Sequence, residues 1–534
     1  MRATIANDRR CLKDYETIGM GAIFNTHMAD LLRQRTSRMS LKKNVLANYL
    51  GQAWTAIMSL VFVPVYIKYL GMEAYGLIGI FIMLQAWLTL LDMGMTPTLS
   101  REMARYTAGA HSEQSIRDLL RTLEIICFTL AIVLFTGLSL SATWLANHWL
   151  HTEKIPTEEL AHAISIIGLV IALRFIEGLY RGAIVGLQQQ VWLNVAGAVL
   201  ATLRSGGAVL VLIWVAPSIN IFFLWQGVVS ITTIVVFIAT TYHHLPVSKQ
   251  SARFSLLQLK EIWRFAGGMM AITLLSLLLT QADKIILSRL LNLEMFGYYT
   301  LAGTVAAILN NLILPVTQAY YPRFTELVTQ SDTAELIKIY HQSAQLISVL
   351  IIPATLILVF FGKNLLLLWT GNALLVENVA PLLALMALGT MLNGFMHIPY
   401  MLTLAYGWTK FSVYSNTVAV VLLVPSMIWA TLNYGVMGAA WIWVILNSGY
   451  VLISVHFLYR RLLTTEKWRW YGKDILIPSF TVLCTGGFCV FIFPEGLSKI
   501  AELVLLLLSG ILMVASAWLV SPFIPRYPLG GRKL

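Results

Sequence analysis

Residues 68–80 read KYLGMEAYGLIGI, and residues 289–301 read RLLNLEMFGYYTL. Lys68/Arg289, Leu70/Leu291, Glu73/Glu294, Tyr75/Phe296 and Gly76/Gly297 share one register, 221 positions apart. Self-similarity at a fixed offset means that one structural unit is used twice. Each copy closes one long apolar run and opens the next, with a carboxylate and a glycine at its hinge. A carboxylate there suits a helix N-terminus, and the glycine lets the new helix start in close contact with a neighbour. The loop therefore reads as a structural hairpin, and the unit it punctuates is set by composition.

Of 534 residues, 58% are hydrophobic and 12% charged, with a mean hydropathy of +0.75. Soluble domains carry about 25% charged residues, so this chain cannot clothe itself for water. A membrane-crossing helix needs about 20 apolar residues. Such runs centre near residues 57, 82, 132, 169, 201, 231, 275, 306, 350, 386, 421, 444, 482 and 508. They are continuous instead of alternating, which selects helices over barrel strands. An even number of spans separates the two loops, so both halves enter the membrane the same way round, a parallel repeat about an axis along the membrane normal.

The expected fold is an all-α polytopic membrane protein of about fourteen helices. Residues 42–245 and 246–461 form two six-helix bundles, and 462–534 add two helices and a basic tail. Residues 1–41 are polar, lack the apolar core of a signal peptide and are expected to be disordered. We expect translation to begin at Met39, where MSLKKNVLANY runs straight into the first span.

With the N-terminus in the cytoplasm, 29 Lys and Arg fall on inside segments and 5 on outside ones. The positive-inside rule therefore puts both termini in the cytoplasm. The net charge of +12 is a topology signal and not a nucleic-acid surface. Cys11, Cys127, Cys484 and Cys489 make neither a disulfide framework nor a metal motif. No GxxxxGK[ST] motif occurs, and no outside loop is long enough to hold a domain. We expect no enzyme, no metal and no bound cofactor.

Ionisable groups inside spans are costly and mark functional sites. Arg204 lies mid-span with no acid beside it in sequence. Arg174, Glu177 and Arg181 stand at i, i+3 and i+7, on one helix face, and Glu177 is placed to pair with either arginine. Gly178, Gly182 and Gly186 form a small-residue seam beside them. Asp283 and Lys284 sit near the outer end of the seventh span. Arg204, Arg174, Lys284 and Arg181 are thus candidates for a cationic surface that binds phosphate. Glu177 and Asp283 are the carboxylates able to carry H+ or Na+. Gln52, Gln85, Gln281, Asn310 and Asn393 are candidates for a polar cavity. For each there is a plainer role: snorkelling for Arg181 and Lys284, a packing ion pair for Arg174 with Glu177, and interhelical hydrogen bonds for the amides.

The stretches NVLANYLGQAW, PVYIKYLGMEAYGL and LLDMGMTPTLSREMARY resemble the start of Wzx-type polysaccharide repeat-unit flippases. These belong to the multidrug/oligosaccharidyl-lipid/polysaccharide exporter superfamily. TQADKIILSRLLNLEMFGYYTLA and YPRFTEL are similar to that family's seventh and eighth helices. The resemblance covers about residues 42–460, and two further helices also occur in fourteen-helix relatives such as the lipid II flippases. It implies movement of undecaprenyl-pyrophosphate-linked oligosaccharide across a bacterial inner membrane, with membrane lipids and a polysaccharide polymerase as candidate partners. A multidrug cation antiporter of the same superfamily is the nearest alternative, but its pocket should favour acid over base. A glycan polymerase or ligase would need chemistry on a large outside loop.

Overall fold

The computed structural model describes residues 47–92, 94–107, 112–245, 251–255, 274–494 and 496–523. The expected N-terminal extension and the end of the basic tail lie outside these residues. Among the described residues there is no strand, and fourteen helices follow one another: α1 (Ala47–Leu70), α2 (Met72–Leu91), α3 (Glu113–Trp149), α4 (Thr157–Gly186), α5 (Gln190–Trp214), α6 (Ile219–His244), α7 (274–290), α8 (Leu293–Gln330), α9 (Thr333–Thr370), α10 (Ala373–Ala405), α11 (409–434), α12 (436–461), α13 (Lys467–Phe491) and α14 (Lys499–Leu519). A short amphipathic helix, Met95–Thr107, joins α2 to α3.

Among the described residues, eleven helical stretches are long and apolar enough to cross a membrane. One of them, Lys410–Arg461, is two helices folded back at Gly435, whose φ of +59° lies in the left-handed region that glycine tolerates. The other two are α2, whose apolar stretch Met72–Leu88 is shorter, and α7, described only from residue 274. The chain is a multi-pass membrane protein.

The helices begin where the sequence supplies caps. Ser112, Ser218, Asn292, Asp332, Asn372 and Ser498 each accept a hydrogen bond from a backbone N–H two or three residues on. Such caps satisfy donors that a helix start leaves orphaned. Shifting the starts of α2 to α6 by 221 positions gives 293, 334, 378, 411 and 440; the second-half helices start at 293, 333, 373, 409 and 436. The sequence repeat is thus matched by a structural repeat across these five successive helices.

In the first half, α4 is the centre, packed along α3 and α6. The glycine seam has a specific use: a Cβ at Gly182 would meet Thr96, and one at Gly186 would meet Ser100 and Met103. It is the bed of the short helix 95–107. In the second half α9 and α10 are central, and α13 and α14 pack on α9. Polar groups fasten that addition. Asp474 on α13 is bound to His341 and accepts from Gln345 Nε2 at 3.0 Å, both on α9. Large side chains such as Leu140, 86% exposed, and Phe491, 88% exposed, point away from the bundle, as expected where lipid is the solvent.

The halves meet at the repeated loops themselves. α2 packs against α8, and a Cβ on Gly76 would lie 2.1 Å from the carbonyl oxygen of Leu293. One on Gly297 would lie 2.7 Å from the carbonyl oxygen of Met72. The neighbour that each glycine admits is the other copy of the same loop.

Candidate functional site

The α2–α8 contact seals one end of the bundle. The loop 150–156, between α3 and α4, lies across that seal and is tied to both halves. Buried Glu73 accepts from the backbone N–H of Glu153 at 2.6 Å and of Lys154 at 2.9 Å. From the second half, the N–H of Leu293 donates to the carbonyl of His151 at 2.9 Å, and Asn292 Nδ2 donates to Glu153 Oε1 at 3.1 Å. Lys154 Nζ reaches Glu294 Oε2 at 2.7 Å, and that contact raises the lysine above its ordinary pKa of 10.5. Trp149 Nε1 donates to Ser288 Oγ at 3.1 Å, and Arg289 Nη1 lies 3.3 Å from His151 Nε2. The two repeat glutamates do not cap their own helices through side chains; both hold this strap.

Towards the other end the halves part. A cavity of about 1350 Å³ runs from mid-depth to the end at which α1 begins. Its walls come from α1, α2, α4, α5 and α6 of the first half and from α8 of the second. Arg174, Glu177 and Arg181 all line it, as their spacing on one face of α4 requires, and Arg204 faces them from α5. Gln52 and Gln85 line it too. The three arginines and one glutamate leave two net positive charges on these cavity walls.

The ion pair differs from the one expected. Glu177 does not take Arg174 or Arg181; it accepts from Arg204 Nη2 at 3.1 Å, across two helices. Arg204 is therefore paired, and of the two deeper cations it is Arg174 that lacks a carboxylate partner. Its Nη2 donates to Gln226 Oε1 on α6 at 3.2 Å, and its guanidinium carbon sits 5.0 Å from the centre of the Phe81 ring. One turn along α6, Ser230 Oγ accepts from Arg204 Nη2 at 3.5 Å. The Nε–H groups of Arg174 and Arg204 are both buried with no acceptor. Arg181, nearer the open end, is exposed.

The remaining sequence candidates lie elsewhere. Lys284 pairs with Asp283 at 3.5 Å, and Asp283 also accepts from the Tyr299 hydroxyl at 2.8 Å. Neither lines the cavity, nor does Gln281. Asn393 donates to Asn447 Oδ1 at 2.8 Å as interhelical glue. Asn310 is replaced at the cavity wall by Asn311, one helical step round, together with Gln318. Tyr298 and Tyr299 are buried in the protein. Among the described residues no group of three or more His, Cys, Asp or Glu is arranged to hold a metal. The strap and the pairing of Arg174 with Gln226 carry no local sequence signal.

Comparison with known proteins places this architecture. The sequence model of the family described as "Polysaccharide biosynthesis protein" matches residues 41–328. A "Putative O-antigen transporter" of Shigella flexneri is 21% identical over 432 residues, covering 79% of this chain and 99% of that one. Among solved structures, the "Lipid II flippase MurJ, inward closed conformation" aligns with a TM-score of 0.65 at 13% identity, over 89% of this chain and 97% of that chain. An inward-facing multidrug resistance MATE family transporter of the MOP superfamily aligns at 0.61 and 13% identity, over 77% and 96%. At such identities the structural likeness concerns the fold.

Proposed function

Since the chain belongs to the polysaccharide biosynthesis protein family, we propose that it is a flippase for undecaprenyl-pyrophosphate-linked oligosaccharide repeat units in the bacterial inner membrane. The observation that carries this reading is the cavity between the halves, whose walls carry two net positive charges, with Arg174 set deep among apolar helices. A lipid-linked oligosaccharide has an anionic diphosphate, a hydrated glycan and an apolar tail. The arginines suit the diphosphate, Gln52, Gln85, Gln318 and Asn311 suit sugar hydroxyls, and the tail stays in lipid. A cation antiporter would gain nothing from an arginine that lacks a carboxylate partner.

The basic excess on one side supports cytoplasmic termini, and in that orientation the cavity opens inward and the strap closes the periplasmic end. Transport then alternates access by rocking one half against the other. The inward state loads the head group; separation of α2 from α8 opens the far side and must free the strap from Asn292, Leu293 and Glu294. An H+ or Na+ gradient drives the cycle through Asp283 or Glu177.

Deletion in the native host should cause a lipid-linked oligosaccharide to accumulate on the cytoplasmic leaflet, identified by mass spectrometry, and the wild-type gene should clear it. Normal surface polysaccharide with no accumulated intermediate after deletion would refute the reading.

A further inference from the structure

The cavity holds three cations and one anion, and the anion is placed oddly for a purely structural pair. Glu177 stands one turn from Arg174 on α4 yet is bonded to Arg204 on α5. α6 supplies the frame: Gln226 and Ser230, at i and i+4, face one way and take Arg174 and Arg204 respectively. Two guanidinium groups are thereby held about one helical turn apart, with Glu177 occupying only the second. Each keeps one buried N–H without an acceptor. Both arginines therefore retain donor capacity for an anion entering the cavity.

We infer that Glu177 is a displaceable counter-ion that moderates the binding of a diphosphate across Arg174 and Arg204 and drives its release. This rests on the flippase reading above. One phosphate binds Arg174, which has no carboxylate to displace. The second phosphate takes Arg204 only by competing with Glu177. A monophosphate ester can use the first site alone, whereas a diphosphate bridges both. Glu177 weakens the bridged state, and its return to Arg204 expels the head group once the far side opens. Without it, the head group would meet three uncompensated arginines and stay bound. Fork-shaped Arg–phosphate contacts are among the stronger charge-assisted bonds, so a competitor is what keeps release fast.

The test uses the full-length protein purified in detergent, with undecaprenyl diphosphate and undecaprenyl monophosphate as probes in a direct binding assay. Glu177→Gln should bind the diphosphate about tenfold more tightly, the worth of about 1.4 kcal/mol, with a much smaller change for the monophosphate. In cells the same variant should export more slowly despite tighter binding. Glu177→Asp, which keeps the charge, should behave as wild type. A structural pair would give the reverse, since breaking it can only weaken a folded site. Equal or weaker diphosphate binding by a well-folded Glu177→Gln protein overturns the inference. If instead wild-type protein binds neither probe, or Arg174→Ala binds as wild type does, the flippase reading fails with it.

Discussion

The two ends of the molecule are built from the same repeat and do opposite things with it. At one end, Gly76 and Gly297 let α2 and α8 approach to backbone contact, and no arginine is buried there. At the other, the helices part around a cavity whose walls carry Arg174, Arg181, Arg204 and Glu177. Small residues permit approach; guanidinium groups set inside an apolar bundle suit a cavity that admits water or an anion. A membrane protein with no hydrophobic drive between its helices uses these two devices to decide which end is shut.

Each device can be broken separately. At the open end, Arg174→Ala should have the largest effect, lowering surface polysaccharide at least tenfold while the protein stays folded and inserted. Arg174→Lys should recover part of it, because a point charge loses the fork but keeps the cation. Unchanged polysaccharide in the alanine variant at normal expression would remove Arg174 from the site.

At the sealed end, Gly76→Ala places a methyl against the Leu293 carbonyl, 2.1 Å away before relaxation. Overpacking of this kind costs about 1–3 kcal/mol. Thermal unfolding of the purified variant should show a loss of that size, and a midpoint equal to wild type would mean the helices are not in contact.

Glu73→Gln should loosen the strap on the first half without touching the cavity. A cysteine at position 288 should then react faster with a membrane-impermeant thiol reagent from the strap side, by several-fold. Lys154→Met should do the same more weakly, because an exposed ion pair is worth about 0.2–1 kcal/mol. The pair also fixes its own pH response. Lys154 is raised above 10.5 by Glu294, so its contribution is complete below that pH and lost only as pH climbs through the raised value. The ratio of labelling at position 288 between the Lys154→Met and Lys154-bearing proteins, which cancels the pH dependence of the thiol itself, should therefore be flat between pH 7 and 9.

The number and type of helices were legible because lipid imposes a simple code: long continuous apolar runs and nothing else. Even α4, with three charges, could be placed, since Arg174, Glu177 and Arg181 share one face and leave the opposite face apolar. The same spacing argument brought these three to one cavity wall. It could not say that Glu177 would choose Arg204, because a helix pattern records which way a side chain points and not what stands across from it. Asn310 missed the cavity by one residue, since one step turns a helix by about 100° and hands the wall to Asn311. Asp283 and Lys284 looked like part of the cationic surface, but they form an ion pair away from the cavity, with Asp283 also accepting from Tyr299. The strap was illegible for a different reason. Its bonds join residues about 80 to 140 positions apart, and no periodicity encodes which loop a repeated glutamate will hold.

The sharpest test of alternating closure is a cross-link between the strap and the second half. In a background whose native cysteines are replaced, cysteines at positions 154 and 294 would be joined by a short bismaleimide in proteoliposomes. The account predicts that the cross-linked protein still binds undecaprenyl diphosphate but moves no lipid-linked oligosaccharide, while the unlinked double variant transports. Transport at an undiminished rate with the link in place would contradict it.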